Sequence, residues 1–243
     1  MAVRRRKDWR TRRVRRLLEK AAGDLRELAR ELYAWRRGVR PEVRKELARV
    51  GDIDLELFEV RLHRLADAME RAYLDPALYR DREHVAKLVE MARDYVFNTS
   101  IKVGRAADAE LERLKRAVDK AMGEIGGEID NSPDGERLLG LWREAVEAAE
   151  EIKKIYPIDM WHIYQSTYPI ASMMVALRRI MNVDDPLGKD RERVVAKGPL
   201  YAKMLKLYER LYASVGVIYV LYSIFSQLGE ISALVAEIED AIK

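Results

Sequence analysis

Residues 199–242 read PLYAKMLKLYERLYASVGVIYVLYSIFSQLGEISALVAEIEDAI. The stretch holds no proline after Pro199, and a proline in the first helical turn is tolerated because its missing N–H has no intrahelical partner there. One helix of this length is roughly 60 Å long, far beyond the usual three or four turns. Lys203, Lys206 and Arg210 mark one wet face at its start. Residues 211–229 then carry no charge, and Glu237, Glu239 and Asp240 restore it. A helix that is wet on one side, apolar all round and then wet again passes through the middle of a helical domain. The expectation is therefore an all-α, antiparallel array of about seven or eight helices around this long C-terminal central helix.

Upstream, residues 182–198 form a charged loop with room for one helical turn, and residues 160–177 form a second uncharged run, interrupted by Pro169. Both uncharged runs reach the minimum length for a membrane span. Their contents argue against it. The first contains His162, Gln165, Ser166 and Thr167, and the second contains Ser214, Ser223, Ser226, Gln227 and three tyrosines. Each polar group weakens insertion into hydrocarbon. The two runs read as buried helices packed on one another.

Toward the N-terminus the seams become regular. Val14, Leu18, Ala21, Leu25, Leu28, Leu32 and Trp35 alternate spacings of four and three over a helix from about Asp8 to Gly38, a pattern that packs against another long helix. A short helix follows over 41–50. Asp52 is the expected cap of a helix to Leu74 with Leu55, Phe58, Leu62, Leu65, Met69 and Tyr73 as its seam, and Asp75-Pro76 breaks the chain and caps the next segment. Separate helices are expected to end near Asn98 and to span 106–122. Residues 123–135 hold four glycines, Asn131 and Pro133, and read as a linker between an N-terminal part, 8–122, and a C-terminal part, 136–243, unless the chain forms one continuous domain. Leu138, Trp142, Ala145, Ala149, Ile152 and Tyr156 then repeat the four–three spacing up to Pro157.

Hydrophobic residues make up 49% and charged residues 35% of the chain, which places it among globular or coiled-coil-rich proteins. No segment alternates apolar and polar as a strand would. With no cysteine, disulfides, thiolate nucleophiles and cysteine-bearing zinc sites are excluded. Abundant Arg, Lys and Glu beside only three Asn and two Gln is a composition typical of heat-adapted proteins.

Catalytic chemistry finds little to stand on. Asp81–His84 and Asp159–His162 each place a carboxylate one turn before a histidine, as helix-bundle metal sites do, but both pairs sit at helix starts where capping explains the aspartate. His63 has no such neighbour. There is no Gly-x-Ser-x-Gly elbow and no Gly-rich phosphate loop. The expectation is a non-enzymatic protein without cofactor or metal. Tyr201, Tyr208, Tyr212 and Tyr219 share a stripe of the last helix, with Tyr222 beside it; such a stripe either fills a bundle seam or lines a pocket.

The charge distribution is the strongest functional signal. The net charge of +4 conceals a division: nine cations against Asp8 give residues 1–16 a charge of +8, while the rest, with 36 basic and 40 acidic side chains, carries −4. No apolar segment of the kind found in secretion signals follows the arginines, so the arm reads as part of the mature, cytoplasmic protein. Arg5, Trp9, Arg12, Arg13, Arg16 and Lys20 lie opposite the Val14–Leu25 seam, and Arg4, Arg6, Lys7 and Arg10 extend the charge. Arg4 to Lys7 precede the expected helix start, and a segment so charged orders on meeting a polyanion. Guanidinium groups suit bidentate phosphate contacts and stacking on bases, and arginine-rich helices suit RNA. These ten residues are the candidate nucleic-acid-binding set of an RNA-binding component or accessory factor of a ribonucleoprotein. The alternative is a helical scaffold that self-associates through the first-helix seam or meets an acidic protein surface; a membrane-associated protein or a helix-bundle metal enzyme ranks behind both.

Overall fold

The computed structural model describes residues 2–49, 53–132, 135–156 and 163–243, with side chains described except for 2–9 and 163–166. Among the described residues there are nine helices and no strand. They are α1 (Ala2–Gly38), α2 (Pro41–Leu47), α3 (Leu55–Leu74), α4 (Pro76–Arg80), α5 (Arg82–Asp130), α6 (Gly135–Lys153), α7 (Ile163–Met181), α8 (Arg191–Ala196) and α9 (Pro199–Ile242). The fold is the expected all-α array with a long C-terminal helix. The chain forms two compact units, and neither is a contiguous piece of sequence. One comprises Met1–Val39, Gly51–Arg105 and Ser223–Lys243; the other comprises Arg40–Val50 and Ala106–Tyr222. Both long helices, α5 and α9, contribute a segment to each.

In the first unit α1 lies antiparallel to α3. Val14, Leu18, Ala21, Leu25, Leu28 and Leu32 are all buried, and so are Phe58, Leu62, Leu65 and Met69 of α3. Flanking this seam, Arg26 donates to Glu70 (2.9 Å) and to Asp67 (3.0 Å), and Arg36 donates to Glu59 (2.7 Å) and Glu56 (2.9 Å). Partly exposed pairs of this kind stabilise by at most about 1 kcal/mol each, so they set register while the apolar seam supplies the stability. The end of α9 packs antiparallel to the start of α5: Arg93 meets Glu239 at 3.5 Å, and Arg82 donates to the Lys243 carbonyl at 3.0 Å. Gln227 donates to Glu31 of α1 at 2.5 Å.

The second unit is built on one apolar core that includes Leu111, Ile125, Trp142, Ile152, Ile170, Leu177, Val194, Leu211 and Ile218. Here α2 approaches α9 closely. A Cβ on Gly216 would come within 2.6 Å of Val43 Cγ2 and 2.9 Å of Cγ1, so glycine at 216 is what lets the buried Val43 sit against the helix. Two further backbone positions are set by special conformations. Gly198 has φ +117°, forming the joint between α8 and α9, and Asn182 has φ 51° just after α7.

Several expected boundaries move. The segments expected to end near Asn98 and to begin near 106 are a single helix, α5. Thr99 and Ser100 donate to the carbonyls of Tyr95 and Val96 one turn back, so their hydroxyls are satisfied inside the helix. Gly104 lies in the same helix, its missing Cβ facing Phe225 at 3.6 Å. The Gly-rich stretch is not a linker up to Asp130: it forms the last turns of α5, held by buried Ile125 and Ile129, with Trp142 Nε1 3.6 Å from where a Gly126 Cβ would stand. Helix α1 begins at Ala2, so Asp8 is interior to it, not its cap, and Arg4 to Lys7 belong to the helical backbone. Asp54 caps α3, accepting from the N–H groups of Glu56 and Leu57 at 3.0 Å each; Asp52, Pro133 and Pro157 lie outside the described residues. Asp75 accepts from Ala77 N–H at 2.8 Å and caps the short α4. Pro169 lies inside α7 without ending it.

Between Met204 and Leu221 the buried positions of α9 fall on every side of the helix, whereas from Ile224 onward Ile224, Leu228, Ile231, Val235 and Ile238 form one stripe. The all-round burial therefore starts before the charge-free run and stops before its end. Among the described residues α9 is the one helix long and apolar enough to cross a bilayer, by length and composition alone.

Two substitutions test this packing. Leu25→Ala should lower the unfolding free energy by about 3 kcal/mol in a urea titration and leave the gel-filtration volume unchanged, because the seam is buried within the chain. Gly216→Ala should cost about 1–3 kcal/mol, and adding Val43→Ala should recover part of that loss.

Candidate nucleic-acid interface

The seam of α1 dictates what its other face presents. With Val14, Leu18, Ala21 and Leu25 turned into the first unit, Arg12, Arg13, Arg16 and Lys20 fall on the opposite side, and all four are exposed. Arg10 and Arg15 are exposed as well; Arg15 flanks the strip, and Arg10 lies one turn before Val14 on the seam side. Arg13 lies 4.0 Å from Glu237 of α9 and is partly neutralised by it. Arg15, Arg16 and Lys20 have no carboxylate within ion-pair distance among the described residues, although Glu19 is exposed beside them. The side chains of Arg4, Arg5, Arg6, Lys7 and Trp9 lie outside the described residues, so the indole expected on the strip has no described position.

The tyrosine stripe of α9 does not converge on one space. Tyr201 lies under the Lys197 ammonium (5.4 Å), whose Nζ also donates to the Met181 carbonyl. Tyr208 is buried, Tyr212 stands 5.6 Å from the Arg40 guanidinium, and Tyr219 is 50% exposed. The Tyr222 hydroxyl is pushed up to about 12, first by burial and then by the Asp108 carboxylate. The stripe serves as packing and rim.

Asp81 acts as a cap. Its Oδ1 accepts from the N–H groups of Glu83 (3.0 Å) and His84 (3.1 Å). Asp159 and His162 lie outside the described residues. Among the described residues no three His, Asp or Glu side chains are grouped to hold a metal ion.

The second unit contains a cationic feature not foreseen in the sequence. A cleft of about 560 Å³ receives Lys45 and Arg49 from α2 and the turn after it, Arg113 and Arg116 from α5, and Lys206 and Arg210 from α9. Its floor is organised by Glu110, which is 0% exposed. Glu110 accepts from Arg113 (2.5 Å), Arg210 (2.9 Å) and the Ser214 hydroxyl (2.8 Å). The other terminal nitrogen of Arg210 reaches Glu46 at 2.7 Å, and Arg49 donates to Glu46 at 2.9 Å. One buried carboxylate thus fixes two guanidinium groups on different helices. A buried ionic group of this kind contributes little net stability but leaves a large penalty when a partner is removed. In sequence the cleft is only i,i+3 and i,i+4 pairs of basic residues, a spacing shared by many solvated helix faces.

Removing Glu110 should be expensive. With Arg113 33% and Arg210 20% exposed, Glu110→Ala is expected to cost about 3 kcal/mol in denaturant unfolding, and the isosteric Glu110→Gln less, since it still accepts hydrogen bonds.

No protein-family model matches the chain, and neither a curated protein nor a solved structure is significantly similar to it.

Proposed function

We propose that the chain is a non-enzymatic, cytoplasmic RNA-binding protein that contacts phosphates through the cationic face of α1, as a component or accessory factor of a ribonucleoprotein. The supporting observation is that Arg12, Arg15, Arg16 and Lys20 are exposed within just over two turns, opposite a seam that is wholly buried. So dense a set of cations raises the local potential and draws polyanions. Guanidinium groups bridge two phosphate oxygens at once and stack on bases, and a rigid helix holds them at fixed spacing. The net −4 of the residues beyond 16 disfavours broad adhesion to a polyanion and concentrates binding on α1. The burial of Leu18, Leu25 and Leu28 supports the cationic face over the first-helix seam as the interaction surface; self-association and an acidic protein partner are the competitors to be tested.

Filter binding of a structured RNA across a salt series decides between them. The parent chain should show log K falling linearly with log salt. Arg12→Gln, Arg15→Gln, Arg16→Gln and Lys20→Gln combined should weaken binding at low salt and reduce that slope by about 3, with helicity by circular dichroism unchanged. A flat titration with the parent chain would overturn the reading.

A further inference from the structure

The cleft in the second unit holds more positive charge than its own carboxylates neutralise. Arg113 and Arg210 are committed to Glu110 and Glu46, and Arg49 to Glu46. Glu209, a third lining carboxylate, faces Arg191 at 2.6 Å. That leaves Lys45, Arg116 and Lys206, one from each wall, with no carboxylate within ion-pair distance among the described residues. Arg116 is steered by a bond from its Nε to the Glu112 carbonyl (3.3 Å). Three like charges gathered around one concavity repel each other unless an anion sits between them, and a concave low-dielectric wall focuses their field on that anion. The volume, about 560 Å³, is in the range of small-molecule sites.

A neighbouring cavity of about 470 Å³ shares Lys206 and Arg210, but its other lysines are engaged, Lys203 with Glu128 and Lys120 with Glu124 at 3.9 Å. Of the three uncompensated cations the neighbouring cavity shares only Lys206, and all three meet in the first cleft. One more feature narrows the ligand. Glu42 lines the cleft, and its Oε2 is buried without a hydrogen-bond partner. An unpaired buried carboxylate oxygen requires a donor. Inorganic phosphate or pyrophosphate would bring further negative oxygens beside it. A molecule with phosphate groups at one end and hydroxyl or amino donors at the other satisfies the three cations and Glu42 together.

We propose that this cleft binds a free phosphorylated small molecule of nucleotide or sugar-phosphate type, its phosphate between Lys45, Arg116 and Lys206 and a hydroxyl or amino group on Glu42. The buried Glu110 network makes Arg210 a positioning residue that ties α9 to α5, while Arg113 is held against Glu110 within α5. This site is independent of the cationic face of α1.

Isothermal titration of the full chain at low salt, with ADP, ribose 5-phosphate and pyrophosphate as separate probes, tests it. ADP or ribose 5-phosphate should saturate at one per chain. Arg116→Ala and Lys206→Ala, both at the cleft wall, should each weaken that binding by about tenfold. Glu42→Gln should weaken the hydroxyl-bearing probe while leaving pyrophosphate binding equal or tighter. The quadruple glutamine variant of α1 should bind both probes as the parent does, and Arg116→Ala should leave the α1-dependent RNA salt slope unchanged. Absence of saturable binding by both ADP and ribose 5-phosphate overturns the proposal, as does binding indifferent to both alanine substitutions. Loss of RNA retention in Arg116→Ala and Lys206→Ala without any small-molecule binding would also overturn it, assigning the cleft to the nucleic acid instead.

Discussion

Much of the second unit answers to one constraint: between Met204 and Leu221 the buried positions of α9 fall on every side of the helix, with Lys206 and Tyr219 left exposed. A helix with buried positions all round its axis needs apolar neighbours in many directions, and it shares one core with residues of α5, α6, α7 and α8, with Val43 of α2 against Gly216. The requirement also explains the smallest details along α9. Gly216 removes a Cβ so that Val43 of α2 can close one side. Ser214, the buried hydroxyl on this helix, is kept there by its bond to Glu110. A polar group inside such a core is tolerable only when bonded, and Glu110 gathers the polar groups that the core admits into one satisfied cluster.

Sequence reading was strong where pattern and packing coincide. The four–three seams of α1, α3 and α6 are buried through their middles, because a helix facing a single partner leaves an imprint every 3.5 residues; at their ends Trp35, Leu55 and Tyr73 are half-buried and Tyr156, beyond the end of α6, is exposed. It was weak where packing overrides local preference. Asn98, Thr99, Ser100 and Gly104 look like a helix end, and Gly123, Gly126 and Gly127 like a linker, yet α5 runs through all of them. Each glycine costs a helix about 1 kcal/mol relative to alanine. Phe225 against Gly104 and Trp142 against Gly126 mark the places where tertiary contacts override that cost, and no local signal announces them.

The two candidate surfaces differ in the same way. The cationic face of α1 is legible because its charges are contiguous and its seam fixes their azimuth. The cleft is not, since its residues come from positions 42–49, 110–116 and 206–214, and only the fold brings them together. What distinguishes those basic residues from ordinary helix-surface ones is the buried carboxylate beneath them. Glu110 sits in sequence among Asp108, Glu112 and several cations, where nothing marks it as the one that loses all contact with water.

The interleaving of the two units has a consequence for how the protein is made. The first unit takes in both Met1–Val39 and Ser223–Lys243, so it cannot be completed until residues 223–243 leave the ribosome. Helix α1 can meet α3 once about seventy residues have emerged, but Glu31 waits for Gln227 and Arg13 waits for Glu237. The second unit, drawing on residues 40–50 and 106–222, has all of its chain in hand earlier. Vectorial synthesis therefore lets the Glu110 cluster assemble before α1 gains its contacts with Gln227 and Glu237.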